Sequence, residues 1–218
     1  MPEEVKKILI FGAGGHSKVI ADIARSVPGI SLDGLVVPPN SSESTEGVRM
    51  FNDNNWQESG CRAGVVAVGD NTIREKIANS ILSDCPDFEF VSLVHPTAVL
   101  GAGVKVGPGS VVMAGAVLNS GASVGEHSIA NTSSVLEHDV SVGRFSSIAP
   151  GAIVGGDVSI GDHSAISIGA TVSHGIQIGS CSVIGAGSVV TKDIESNVVA
   201  FGNPCKVIRA RNKEDKYL

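Results

Sequence analysis

The sequence predicts a chain in two parts: a small α/β domain built from parallel βα units, followed by a parallel β-helix of hexapeptide repeats. Three observations predict it. From Val94 to Val190 an apolar residue recurs at every sixth position without an insertion. Before that stretch, short apolar runs alternate with segments of helical spacing. The composition agrees, since 27 glycines and only 4% aromatic residues describe a backbone-dense fold whose turns recur. A chain of 218 residues has room for two modest domains of about 100 residues each.

KKILIFG, beginning at Lys6, reads as a short apolar strand that ends in a glycine turn. HSKVIADIARS then puts Val19, Ile20, Ile23 and Ala24 on one helical face. LDGLVV suggests a second strand, and PPNSSESTEG (38–47) has the proline, serine and glycine of a loop. GVVAVGD reads as a further buried strand and NTIREKIANSIL as a further helix, with Ile73, Ile77 and Ile81 spaced by four. Parallel βα units are the economical assembly of these pieces.

From Val94 the grammar changes. Seventeen consecutive hexads begin with Leu, Ile or Val, Ala130 alone excepted, and the fifth residue of each is small or β-branched. An α-helix cannot hold a six-residue apolar period on one face, because its 3.6-residue turn rotates the stripe away. A parallel β-helix can, with the branched residue inward, a small residue beside it, and glycine or asparagine at the corners. Three hexads make a triangular coil of eighteen residues, so residues separated by eighteen or thirty-six stack. His138 accordingly stacks over Ser120 and Gly156, with His174 two coils away.

Several function classes are disfavoured. A net charge of −6 argues against a broad nucleic-acid or anionic-membrane surface. No apolar stretch reaches the ~18–20 residues of a membrane span, and MPEEVKK does not read as a signal peptide, so a cytoplasmic protein without membrane insertion is expected. Cys61, Cys85, Cys181 and Cys205 have no C-x-x-C spacing and read as reduced, packed thiols. GAGGHS joins a strand to a helix, where free N–H groups favour phosphate, although a purely structural turn reads the same way. Ser17 stands where a dinucleotide fingerprint has its last glycine, and no acidic residue ends the second strand; both argue against NAD.

Taken with ILIFGAGGHSKVIADIA, AVGDNTIREKIA, SLVHPTAVL, NTSSVLEHDVSVGRFSSIAPGAIVGG and FGNPCKVIR, the sequence resembles the hexapeptide-repeat acyltransferases over nearly its whole length. Within them it is most similar to the sialic acid O-acetyltransferase and nucleotide-sugar amine N-acetyltransferase group. The resemblance implies a Rossmann-like domain over 1–93 that holds a sugar nucleotide, a left-handed β-helix over 94–195, and a C-terminal cap over 196–218. It further implies a homotrimer with acetyl-CoA bound between neighbouring subunits and no metal requirement.

Residue by residue, the resemblance makes His138 the general base and Asp139 the acid that raises its basicity. Imidazole, with an ordinary pKa near ~6.5, suits proton removal from an attacking amine at neutral pH. A corner position lets the ring project without displacing the apolar core. Glu137 reads as a solvated corner residue. Acetyl-CoA contacts carry over to Ser147, Gly156, Ile168 and Ala186, and Ser147 stands where close relatives often have histidine. Gly14, Gly15, His16 and Gly69 carry over as substrate-binding; Asn131 reads either as a support for the acceptor or His138 or as an asparagine suited to a tight corner of the solenoid. After the second strand, Val37 and Pro38 replace the aspartates common in relatives that bind UDP-sugars. Basic residues Lys206, Arg209, Arg211 and Lys213 offer either a contact to the CoA 3′-phosphate or a solvated cap.

The expected activity is acetyl transfer from acetyl-CoA to the 4-amino group of a nucleotide-linked 4-amino-4,6-dideoxy sugar. Sugar O-acetylation and a non-catalytic trimeric scaffold are the alternatives. A zinc hydratase on the same solenoid would need three histidines; His127 and His163 have the thirty-six-residue spacing of two stacked ligands, but Ile168 stands where the third is expected.

Overall fold

The computed structural model describes residues 5–39, 41 and 48–216. Its first unit runs β1 (Lys6–Phe11), α1 (Gly15–Ser26), β2 (Ile30–Val37), β3 (Arg49–Asn52), β4 (Ala63–Val66), α2 (Asn71–Asp84) and β5 (Glu89–Phe90). All five strands are parallel, in the order β3-β2-β1-β4-β5. A parallel sheet is covered on both faces, so its central strands read as unbroken apolar runs. Ile8, Leu9, Ile10 and Val65 are fully enclosed. The loop expected over 38–47 falls mostly outside the described residues. Strands β3 and β5 and a 3-10 turn at Trp56–Ser59 are too short and too mixed in composition for periodicity to mark them.

Both helix faces differ in detail from the expected ones. On α1, Val19 is exposed and Ala21 is buried with Ile20, Ile23 and Ala24. On α2, Ile73 is exposed and Ile77 only half-buried, whereas Asn71, Thr72, Arg74, Ala78 and Ile81 are buried. The face turned inward therefore carries polar groups that meet the β-helix, and burial there is set by hydrogen bonds as well as by apolar area. Asp70 caps α2 by accepting from the N–H groups of Thr72 and Ile73, at 3.0 and 2.9 Å.

From Leu93 onward the chain forms two-residue strands that stack into three parallel sheets. Val117 pairs with Val135, Ser123 with Ser141 and Ile129 with Ser147, always eighteen residues on. Leu118, Leu136, Ile148, Ile166 and Ile184 fill the interior with no exposed surface.

The three corners differ in a way that a six-residue period averages out. One carries Ala116, Ala152 and Ala170; the next carries Val140, Val158 and Ile176; the third carries Ser110, Ser128, Ser146, Ser164 and Ser182, all buried. Those serines form a ladder. Ser128 Oγ donates to Gly143 O at 2.7 Å and accepts from Ser146 N at 2.9 Å; Ser146 and Ser164 repeat the pattern one coil further on each time. A buried hydroxyl costs about 1–3 kcal/mol when unpaired, and the ladder removes that cost. Ser134, in the alanine corner, is the exception: its buried hydroxyl has no partner.

The three outer faces differ as well. Leu93, Val111 and Ile129 pack beneath the α/β unit, against Ile20, Ile23 and Val37. The second sheet turns Val99, Val117, Val135 and Ile153 outward, and Val99 and Ile153 are exposed. On the third sheet the corresponding positions are Lys105, Ser123, Ser141, Ser159 and Gln177.

An antiparallel hairpin, Val198–Gly202 with Cys205–Ala210, closes the last coil by pairing with the strand at Val183–Ile184. The basic tail then folds back onto α2. Arg211 is buried and donates to Cys181 O at 2.8 Å, Lys213 pairs with Glu75, and Arg209 pairs with Asp215 at 3.1 Å. Three of the four basic residues offered to a cofactor phosphate are thus engaged within the chain, and Lys206 is exposed.

Candidate active site

A cleft of about 540 Å³ lies between the α/β unit and the first sheet of the β-helix. His16 and Gly69 line it from the α/β side; Ile129, Asn131, Ser147, Ala149, Pro150, Ala165 and Ile168 line it from the repeats, with Gly185 and Ala186 at the far end. Six of the sequence-predicted residues therefore meet in one place: His16, Gly69, Asn131, Ser147, Ile168 and Ala186. Gly14 and Gly15 stand at the head of α1, exposed, with open space where a Cβ would be. The Ser17 hydroxyl donates back to Gly14 O at 2.6 Å.

His138, Asp139 and Gly156 lie elsewhere, on the corner between the second and third sheets. His138 Nδ1 is 3.0 Å from Asp139 Oδ2. An ionised carboxylate only accepts, so Nδ1 carries the proton and Nε2 is left with its lone pair free to act as a base. Both side chains are about two-thirds exposed, at 64% and 68%.

Two glycines make the arrangement fit. A Cβ on Gly156, one coil on from His138, would overlap Nε2 and the ring carbons beside it. A Cβ on Gly121, one coil before Asp139, would overlap Oδ1. Gly156, expected as a cofactor contact, is the floor under the imidazole. Glu137 is also more than a solvated corner group, because Asn119 Nδ2 donates to its Oε2 at 2.9 Å.

Electrostatics mark other histidines. Burial, with the Arg74 guanidinium second, lowers the His16 pKa to about 4. Its Nε2 is buried without a partner. Burial lowers His127 to about 4 in the same way, helped by Arg74 and Arg144. His127 and His163 do not form a metal pair: the Phe145 ring lies between them, stacked at 4.7 Å from one and 5.4 Å from the other. His163 turns instead to Glu75, 3.2 Å away.

The residues that sequence reasoning missed are Asn71 and Arg74. Ser147 Oγ donates to Asn71 Oδ1 at 2.7 Å, and Arg74 Nη2 approaches the same hydroxyl at 3.3 Å. The signal was present, since 71, 74, 78 and 81 share a helical face as well as 73, 77 and 81 do, but polar residues on that face read as solvent-facing.

Residues 7–81 match the family described as the PglD N-terminal domain. Over nearly the full length the chain is similar to PerB from Caulobacter crescentus, solved in complex with CoA and GDP-perosamine: 32% identity, TM-score 0.86, covering 94% of this chain and 98% of that one. The chain belongs to the hexapeptide-repeat nucleotide-sugar N-acetyltransferases. The acetyltransferase domain of PglB from Neisseria gonorrhoeae, solved with acetyl coenzyme A, is a second such neighbour, at 32% identity and a TM-score of 0.84 over 93% of this chain and 99% of that one. UDP-N-acetylbacillosamine N-acetyltransferase of Bacillus subtilis is 30% identical over 122 residues, which span 50% of this chain and 52% of that relative, so the matched stretch is about half the curated enzyme's length. In this acetyltransferase family the α/β domain precedes a left-handed hexapeptide β-helix, as the sequence leads one to expect.

Proposed function

We propose that the protein transfers the acetyl group of acetyl-CoA to the 4-amino group of a nucleotide-linked 4-amino-4,6-dideoxy sugar. The observation that carries this reading is the His138–Asp139 pair, oriented through Nδ1 and seated over Gly156. It is supported by neighbours over 30% identical whose structures hold CoA with GDP-perosamine, or acetyl coenzyme A.

His138 Nε2 removes the proton as the neutral amine attacks the thioester carbonyl. Asp139 stabilises the imidazolium that results. The tetrahedral adduct then collapses, the C–S bond breaks, and the imidazolium returns its proton to the departing thiolate. Among the residues that line the cleft, this reading gives Ser147, Ile168 and Ala186 to the donor and His16, Gly69 and Asn131 to the acceptor. Val37 is buried and Pro38 exposed, and neither carries the carboxylate that relatives binding UDP-sugars commonly have there.

Within one chain the base and the cleft stand on different faces, which favours a site shared between copies. In the trimer we propose, His138 of one subunit faces the cleft of the next, and the apolar row of Val99, Val117, Val135 and Ile153 is covered by a second copy. A cytoplasmic setting is consistent with four unpaired cysteines. Among the described residues no helix is long and apolar enough to cross a membrane.

The test is thiol release from acetyl-CoA with matched 4-amino and 4-hydroxy nucleotide sugars. Turnover of the amine, lost about 10²–10⁴-fold in His138→Ala, is expected. Turnover of the hydroxyl compound alone would make the protein an O-acetyltransferase, and undiminished kcat in His138→Ala would remove the base.

A further inference from the structure

Arg74 is only 1% exposed, and its guanidinium reaches in three directions. Nη1 donates to the carbonyls of Val68 and Gly69, at 2.8 and 2.9 Å, on the segment that follows β4. Nε donates to His127 O at 2.7 Å, and Nη2 lies 3.3 Å from both Ser146 O and Ser147 Oγ, all on the β-helix. Nη2 also donates to Asn71 Oδ1 at 2.6 Å, and Asn71 Nδ2 continues to Ser164 O at 3.2 Å. Three successive coils are therefore tied to one helix turn.

Two of these partners are walls of the cleft, Gly69 on the α/β side and Ser147 on the repeat side. One planar fork thus bonds both walls at once. A guanidinium suits this because its donors are held in one rigid plane; a lysine ammonium supplies charge without that geometry. The same cation also helps keep His16 uncharged, second to burial, so His16 meets the cleft as a neutral imidazole whose buried Nε2 has no partner in the chain.

We propose that Arg74 is a positioning residue for the acceptor, holding the acceptor-side Gly69 at a set distance from Ser147 on the donor side of the cleft. The proposal rests on the nucleotide-sugar reading above and adds to it a residue that touches no substrate. Gluing two domains together is the simpler role for a buried arginine, and the two roles differ in what they change. Glue affects melting and all kinetic constants together. A spacer that sets where Gly69 stands over the repeats affects acceptor affinity first.

The experiment compares wild type, Arg74→Lys, Ser147→Ala and the double variant, with acetyl-CoA and the nucleotide-linked amino sugar. The expected result for Arg74→Lys is an acceptor KM raised about tenfold with kcat within about threefold, since small misplacements of a bound substrate are costly. The double variant should be little worse than Arg74→Lys alone, because both changes cut one link. Arg74→Met adds a pH readout. The acceptor is expected to bind the neutral form of His16, so its KM rises as that ring protonates; Arg74 on α2 is the charged group that acts on His16 from a packed element, and removing it moves that rise upward in pH, by less than burial contributes. Replacing His16 by glutamine in that background should abolish the movement.

An unchanged acceptor KM in folded Arg74→Lys overturns the proposal, as does a uniform loss in kcat and both KM values that tracks the melting temperature. Should Arg74→Met not fold, the Arg74→Lys and Ser147→Ala cycle decides alone. If the wild type binds the sugar nucleotide without turnover, calorimetric Kd values replace KM. A wild type that neither binds nor acetylates any nucleotide sugar overturns the functional reading and this proposal with it, whereas an active wild type with an indifferent Arg74→Lys overturns this proposal alone.

Discussion

Gly156 lies directly under the imidazole of His138, one coil further along the β-helix, with no room between them for a methyl group. A glycine eighteen residues after His138 is therefore a condition of that ring's orientation. Gly156→Ala should displace the ring and lower kcat by about 10–100-fold while leaving the circular dichroism spectrum unchanged. Steady-state kinetics with saturating acetyl-CoA check this.

Asp139 holds Nδ1 at 3.0 Å, and its replacement by asparagine keeps the size but not the charge. The amide no longer stabilises an imidazolium and presents an N–H as readily as an oxygen, which disfavours the productive tautomer. Asp139→Asn should reduce kcat by about 10²–10⁴-fold with acceptor KM nearly unchanged. An equal rise in KM would show instead that the carboxylate binds substrate.

Burial keeps His127 neutral in the fold, with its pKa at about 4, whereas an unfolded histidine titrates near ~6.5. Between these values the unfolded state binds more protons than the native one, so stability rises with pH there. The contribution is complete above about pH 6.5 and is lost as pH falls toward 4. Going from pH 7 to pH 5 should cost on the order of 1–2 kcal/mol through this residue. Urea unfolding of wild type and His127→Gln at both pH values should show the variant losing less.

The serine corner and the alanine corner predict opposite outcomes for one substitution. Ser146 Oγ donates to Gly161 O and accepts from Ser164 N, so Ser146→Ala leaves buried groups unpaired and should cost about 1–3 kcal/mol. Ser134 Oγ has no partner, and Ser134→Ala should be neutral or stabilising by up to about 1 kcal/mol. Chemical denaturation of the two variants is the check.

Ile153 is exposed in the middle of the apolar outer row. A carboxylate buried at an interface is costly unless paired, so Ile153→Asp should shift a trimer toward monomer and lower activity with it. Light scattering after size exclusion reads the mass. A wild type that is already monomeric, or a fully active monomeric variant, would contradict the shared site.

The β-helix was legible because its signal is covalent spacing: an inward branched residue every sixth place, from Val94 to Val190, leaves few other folds available. The βα units were legible too, since buried parallel strands such as β4 are continuous apolar runs. Helix faces were less so. Ile73, Ile77 and Ile81 look like a core stripe, but α2 turns Asn71 and Arg74 to the repeats, where they bond the Ser164 and Ser146 carbonyls, and leaves Ile73 exposed. No local pattern announces partners more than seventy residues away.

The site divides in the same manner. Spacing alone put His138 over Gly156 and set His127 and His163 thirty-six apart. Only the folded chain showed that Phe145 fills the place between those two histidines, that Ser147 is held by Asn71 and Arg74, and that six of the expected residues converge on one cleft while His138 and Asp139 stand on another face. The physical reason is range. A repeat with a fixed rise converts sequence separation into height along the solenoid, so everything within it is set by the chain's own order. What crosses from the α/β unit to the repeats depends on long-range packing and on where buried donors find acceptors, and that is decided only once the tertiary structure has formed.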